Sequence, residues 1–205
     1  MVPAMSVTSA TSAKRGAYAK TPARKAQIVE AAASVFSTRG YNGGSLREIA
    51  SQLDVGLTSL VHHFPSKTDL LEAVLVYADE KYIGEFDMIA HDSGMRAAVL
   101  DLVERNFGHP ELLRLLAVLG TECSSPGYPG NQWFVDRYSR LREEYRARFE
   151  HDQAVGRIPA RRDPAVLATM LIGLWDGVQL QWLIDPGVDM VATIGAFFDE
   201  IEASR

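Results

Sequence analysis

The sequence predicts an all-α protein, with a three-helix N-terminal head followed by a larger helical body, and three observations support this. Apolar residues recur every three to four positions along most of the chain, as they do on one face of a helix. No strand run or internal repeat is evident. Residues 1–70 carry eight Lys/Arg against four Asp/Glu, whereas residues 71–205 carry thirteen against twenty-two. A basic head on an acidic body suits nucleic-acid binding by the head alone.

The bulk composition is that of an ordinary globular protein. The 205 residues make one large domain or two small ones, and 47% of them are hydrophobic and 23% charged. Cys123 is the single cysteine, so an internal disulfide is excluded and a reducing compartment fits. We expect Cys123 to be a buried, small apolar residue rather than a nucleophile or redox switch.

The first helix of the head is predicted to follow a disordered arm. Residues 1–20 are rich in Ser, Thr and Ala and lack the apolar core of a signal peptide. Thr21-Pro22 has the composition of a helix start, with a capping side chain before a proline. Gly40 is predicted to end that helix.

Two short helices joined by a tight turn are predicted next. Ser45 and Glu48 have the spacing of a capping box and begin the first helix. The turn is Asp54–Gly56, and a second helix over Leu57–His63 stops before Pro65. Such short helices need a third helix to pack on, and a helix-turn-helix uses this arrangement to place its second helix in the DNA major groove. The apolar face of the first helix consists of Leu46, Ile49, Ala50 and Leu53.

This stretch resembles the DNA-binding domain of the TetR family of transcriptional regulators. The resemblance covers about a quarter of the chain and implies a DNA-binding head, a ligand-binding body and pairing of two chains through two C-terminal helices. The residues that carry it are Gly40-Tyr41, Ser45-Leu46, Glu48-Ile49-Ala50, Val55, Leu60, His62-His63-Phe64 and Ser66-Lys67.

The head also departs from the family pattern. Asp54 stands where glycine is usual in the turn, and Gly56 replaces the usual serine cap. Val61 follows Leu60 where a tyrosine is common. By position in the family pattern, Thr58 and Ser59 are expected to meet base edges, whereas His62 and Lys67 are expected to meet phosphate. The DNA-binding candidates are Ser45, Arg47, Leu57, Thr58, Ser59, His62, His63 and Lys67.

The body is predicted to contain six helices. Ser66 and Asp69 cap the first, a long helix that reaches towards Ile89 and joins head to body. Ser124–Gly130 is a loop because it contains two prolines and two glycines. The other predicted helices are Met95–Phe107, Glu111–Cys123, Gln132–Ala154, Pro164–Ile184 and Val188–Ala203.

The two C-terminal helices are predicted to form the interface of a homodimer. Pro164–Ile184 is long and apolar enough to cross a membrane, but Asp176, Gln179 and Gln181 would be costly in lipid. An all-round apolar helix fits if one face meets its own core and the other a partner chain. Trp182 and Phe198 are the candidates for the interface core, with burial in their own chain as the alternative.

A small-molecule site is predicted in the body, where aromatics are abundant and a few polar residues stand among apolar neighbours. Asp176 either bonds within the protein or awaits a ligand group, and the latter favours a cationic or donor-rich amphipathic ligand. No cofactor or metal is expected, since adjacent His62 and His63 diverge on a helix. The ligand-binding candidates are Phe107, Glu122, Trp133, Tyr138, Trp175, Asp176 and Gln179.

The sequence thus predicts an arm at residues 1–20, a DNA-binding head at 21–67 and an effector-binding and dimerisation body at 68–205. We expect a cytoplasmic, dimeric repressor, with double-stranded DNA carrying a palindromic operator as its partner and an unknown small molecule as its effector. An activator or a ligand-free repressor of the same fold is the alternative. An all-α enzyme or an adaptor module is a more remote one.

Overall fold

The computed structural model describes residues 12–83 and 86–203, with side chains over 22–80 and 89–203. These residues form helices and contain no strand, which confirms the predicted all-α fold. The helices are α1 Ser12–Gly43, α2 Leu46–Gln52, α3 Leu57–His63, α4 Lys67–Ile83, α5 Phe86–Ser93, α6 Met95–Asn106, α7 Pro110–Glu122, α8 Asn131–Ala154, α9 Pro164–Ile184 and α10 Met190–Glu202.

Helix α1 begins earlier than predicted. It starts at Ser12 and carries Pro22 inside it, instead of starting at Thr21. The segment before Pro22 is rich in Ala, Lys and Arg, which favour helix. Residues 1–11 of the predicted arm lie outside the described residues. At its other end the helix is broken at Gly40, whose φ of 68° and ψ of 176° are non-helical, as predicted.

Helices α2 and α3 form as the sequence predicts. Ser45 Oγ accepts a hydrogen bond from the Glu48 amide at 3.2 Å, but the Glu48 carboxylate pairs with Arg39 at 3.0 Å rather than closing the capping box. Asp54 takes the left-handed conformation that the turn requires, with a φ of 52°. Gly56 caps α3 without a side-chain hydrogen bond.

The first hydrophobic core joins the head to the body. Leu60 of α3 and Phe36 of α1 are fully buried in it. Leu115 and Leu119 of α7 are buried in the same cluster, so the head does not have a core of its own. Helix α7 packs on α1 within this shared core.

The stretch predicted as one long helix from Ser66 to Ile89 is described as α4 and α5. Residues 84 and 85 between them lie outside the described residues. A second hydrophobic core lies at the far end of the body, where α6, α9 and α10 pack around the end of α8. Its largest fully buried side chains are Met95, Phe149 and Phe198.

Candidate functional site

Helix α3 presents a polar face outward and an apolar residue inward. Leu60 is 0% exposed and anchors the helix in the first core. Thr58, Ser59 and His62 are exposed, so their side chains are free to meet a DNA groove. Leu57 lies half-buried at the N-terminal end of the helix.

His63 carries less positive charge at neutral pH than an ordinary histidine does. Partial burial lowers its pKa from the ordinary 6.5, and the neighbouring His62, Lys25 and Arg24 lower it further. A phosphate placed beside this cluster would reverse the effect of the basic neighbours. Positive charge around His63 therefore comes from Arg24 and Lys25 more than from His63 itself.

Three further candidates lie beside the helix-turn-helix. Ser45 and Arg47 are exposed at the start of α2, where free amides and the helix dipole favour an anion. Lys67 is more enclosed, because its Nζ lies 4.4 Å from the centre of the Tyr41 ring and 3.5 Å from the Asn42 carbonyl oxygen. Burial lowers the pKa of Lys67, and the nearby Glu122 opposes that change.

Lys67→Met is expected to weaken binding to all DNA sequences alike and to flatten the salt slope by about one unit. Methionine keeps an aliphatic stem beside the Tyr41 ring and removes the charge. Anisotropy titrations of one duplex at several salt concentrations measure the slope. Arg142→Met, which removes a charge from an exposed position of α8, is the matched control. A Lys67→Met slope equal to that of wild type would exclude the phosphate contact.

A cavity of about 420 Å³ lies in the body, between α4, α6, α7, α8 and α9. Four of the seven predicted ligand-binding residues line it. These are Tyr138, Trp175, Asp176 and Gln179.

These four residues form two hydrogen-bonded pairs. Tyr138 Oη donates to Asp176 Oδ2 at 2.8 Å, so Asp176 does bond within the protein. Trp175 Nε1 donates to Gln179 Oε1 at 2.8 Å, and Gln179 Nε2 donates to the Leu113 carbonyl at 3.4 Å. Burial and the Asp176 charge raise the pKa of Tyr138 to about 12, so this hydroxyl stays a donor at neutral pH. Burial raises the pKa of Asp176, although the Tyr138 hydrogen bond and Arg137 oppose the rise.

An ion pair forms another part of the cavity wall. Arg137 Nε lies 2.9 Å from Asp79 Oδ1, and both side chains are largely buried. Arg140 binds the other oxygen of the same carboxylate. These ion pairs connect α8 to α4 beside the cavity.

Three predicted ligand-binding residues lie elsewhere. The Phe107 ring contacts the Trp182 ring in a tilted arrangement, with ring centres 5.1 Å apart, outside the cavity lining. Trp133 packs against the first core. Glu122 Oε2 accepts a hydrogen bond from the Tyr41 amide at 2.5 Å, directly after the break at Gly40. Glu122 therefore joins body to head instead of facing a ligand.

The two predicted interface residues are at least partly buried within their own chain. Phe198 is 0% exposed within the second core, which is the alternative that the sequence left open for it. Trp182 is half-buried against Phe107.

Helix α9 nevertheless exposes an apolar face. By length and composition it is long and apolar enough to span a membrane. Of its apolar 18-residue stretch, 28% is buried within the chain. Gly173 and Gly177 lie within this face with open space above them. The large side chains of the face are Val166, Met170, Leu180 and Ile184, all at least 51% exposed.

Among the cavity residues that sequence reasoning missed are Asp79, Asn106 and Arg137. The sequence signal for Asn106 is its position, because it is a polar residue at the end of the otherwise apolar face of α6. Its side chain is 3% exposed. Arg137 pairs with Asp79 of α4, a contact that the sequence alone does not reveal.

Two further expectations concerned the reactivity of Cys123 and the binding of a metal ion. Cys123 is buried as predicted, and burial raises the pKa of its thiol to about 11, which makes it a poor nucleophile. Within residues whose side chains are described, no group of three or more His, Cys, Asp or Glu is placed to hold a metal ion.

Comparison with known proteins matches residues 28–74 to the family model described as bacterial regulatory proteins, tetR family. The regulator UidR of Escherichia coli K12 is 23% identical over 110 residues, which cover 45% of this chain and 56% of that protein. RutR of the same strain is 30% identical over 100 residues, or 47% of each chain. The chain thus matches about half the length of these curated relatives.

Similarity of fold extends through the body. The structure of SmeT with triclosan has a TM-score of 0.75 at 16% identity and covers 87% of this chain and 90% of that one. SmeT is described as the repressor of the Stenotrophomonas maltophilia multidrug efflux pump SmeDEF.

Proposed function

The chain is a helix-turn-helix protein of the TetR family, and on that premise we propose that it is a sequence-specific, DNA-binding transcriptional regulator of the cytoplasm. The finer proposal is a dimeric repressor that a small molecule releases from a palindromic operator in double-stranded DNA. One observation supports it most strongly: α7 contributes both to the core that anchors α3 and to the wall of the cavity.

The proposed DNA contacts come from the outward face of α3. Thr58 and Ser59 have hydroxyls that donate to and accept from base edges in the major groove. His62, Arg47 and Lys67 are proposed to meet phosphate, which sets the position of the helix without reading sequence.

A second copy of the chain is the proposed cover for the exposed face of α9. Large apolar side chains recur along that face at helical spacing, and the open glycines allow close approach of another helix. Two copies related by a two-fold axis would present two α3 helices to two half-sites. One short recognition helix alone gives little specificity.

The proposed route from ligand to DNA runs through α7. Leu113 and Leu116 face the cavity, whereas Leu115 and Leu119 lie in the core shared with the head. At its end, Glu122 binds the Tyr41 amide beside the break in α1. A ligand that displaces α7 would therefore move the head directly. Helix α4 gives a second connection, because its Asp79 lines the cavity and its start follows α3.

A thermal-shift screen followed by DNA titration tests this function. A compound that binds the native state raises the melting temperature. A compound that releases operator must bind more weakly to the DNA-bound protein, by the same factor by which it weakens DNA binding. Hits that leave operator affinity unchanged, or that bind undiminished to Trp175→Ala, would contradict release through this cavity.

A further inference from the structure

The cavity carries more negative than positive charge. Three carboxylates and one guanidinium line it, from Asp79, Glu144, Asp176 and Arg137. The guanidinium is already engaged, because Arg137 pairs with Asp79 at 2.9 Å while Arg140 holds the other Asp79 oxygen. An anionic ligand would have to break this ion pair before it gained a positive partner.

The Asp176 carboxylate retains unused hydrogen-bonding capacity. Within the described part of the chain it accepts one hydrogen bond, from Tyr138 Oη. An ionised carboxylate offers about four lone-pair sites, so further donors can be accommodated. Asp176 lies on the wall of the cavity and keeps part of its surface open to solvent despite its close neighbours, which makes those sites reachable.

A second acceptor in the cavity is unpaired. Asn106 is 3% exposed, and among the described residues its Oδ1 has no hydrogen-bond partner. A buried polar atom without a partner is costly, and a donor on a bound molecule would remove that cost. This atom lies on α6, so it belongs to a different wall from Asp176 on α9.

The rest of the lining suits an apolar or aromatic body. Leucines from α6, α7 and α9 surround the space, together with the rings of Phe134, Tyr138, Tyr145 and Trp175. Aromatic faces also attract a cation that has left water.

We propose that the ligand of this cavity is an amphipathic organic cation, whose ammonium group binds Asp176 and whose apolar body fills the space between α6, α7 and α9. The proposal rests on the proposed function for its regulatory meaning, but the binding itself is independent of DNA. A further donor on such a ligand satisfies Asn106.

Three probes that share an aromatic body but differ in charge test whether the cavity prefers a cation. They are naphthylethylamine, which is protonated at neutral pH, the neutral naphthylethanol and the anionic naphthylacetate. We expect calorimetric titration of the full chain to show the amine binding most tightly and the acid most weakly. Asp176→Asn is expected to weaken amine binding by about 10- to 100-fold, as loss of a charged hydrogen bond does, and to leave the alcohol nearly unchanged.

Asp136→Asn is the matched control, since it removes the same charge from the exposed face of α8 outside the cavity. It should bind the amine as wild type does. The proposal is overturned if the alcohol or the acid binds as tightly as the amine, if none of the three binds, or if Asp176→Asn holds the amine undiminished.

Operator titration separates this proposal from the proposed function. An amine that binds through Asp176 but leaves operator affinity unchanged supports the ligand class and contradicts ligand release. Release of operator by the alcohol or the acid, with no binding of the amine, supports ligand release and overturns the ligand class.

Discussion

Ile184→Glu is expected to convert the proposed dimer into a folded monomer that loses its operator. Ile184 is 78% exposed in the single chain, so the substitution leaves both cores intact. In a dimer built on α9 it would place a charge in an apolar interface, which is strongly unfavourable. Analytical ultracentrifugation measures the association state, and circular dichroism checks that helix content is unchanged.

The loss of DNA affinity should be large because the two α3 helices act as linked binding modules. Linking two modules raises apparent affinity by about 100- to 10,000-fold, and a monomer forfeits that gain. Anisotropy titration of a palindromic duplex measures the loss.

Val135→Glu is the control, since it places the same charge at a 52% exposed valine of α8. It should stay dimeric and bind DNA. A dimeric Ile184→Glu, or a wild-type chain that is monomeric at micromolar concentration, would contradict the interface. Trp182→Glu is a weaker test, because Trp182 packs against Phe107 within its own chain.

The double substitution Thr58→Ala and Ser59→Ala is expected to abolish sequence preference while retaining general DNA binding. Both hydroxyls are exposed on α3, and neither side chain supports the core. Each base contact contributes about 1–3 kcal/mol of discrimination, so losing one contact in each half-site of the dimer is already severe. Phosphate contacts remain, and non-specific binding should keep its salt dependence.

Competition between the operator and a scrambled duplex measures this change. Ser34→Ala, at an exposed position of α1, is the matched control and should keep the preference. Equal loss of affinity for both duplexes would show a folding or phosphate effect instead. An unchanged preference would show that α3 does not read the bases through these hydroxyls.

Local signals explain which parts of the fold could be predicted. Gly56 and Pro65 bracket α3, whose bounds match the prediction. Asp163 accepts hydrogen bonds from the first amides of α9, as its position before Pro164 indicates. The start of α1 was missed because proline within a helix and proline at its first turn look alike in sequence.

The cavity residues could be predicted only in part, because helical periodicity does not say what each face meets. Trp133 and Trp175 are both aromatic residues on long helices, yet one packs on the first core and the other lines the cavity. Glu122 is an isolated acid among apolar residues, as a ligand group would be. Its partner is the Tyr41 amide, 81 residues away, so only the tertiary structure reveals its role.

Selection of bound duplexes from random sequence is the most direct test of the central claim, that this chain is a dimeric, sequence-specific DNA-binding protein. The full chain should enrich one palindromic motif whose half-sites have centres about 10 base pairs apart, or a multiple of that spacing. The Thr58→Ala and Ser59→Ala double variant should enrich none. Failure of the wild-type chain to enrich any sequence at low salt, or enrichment of a motif without two-fold symmetry, would contradict the claim.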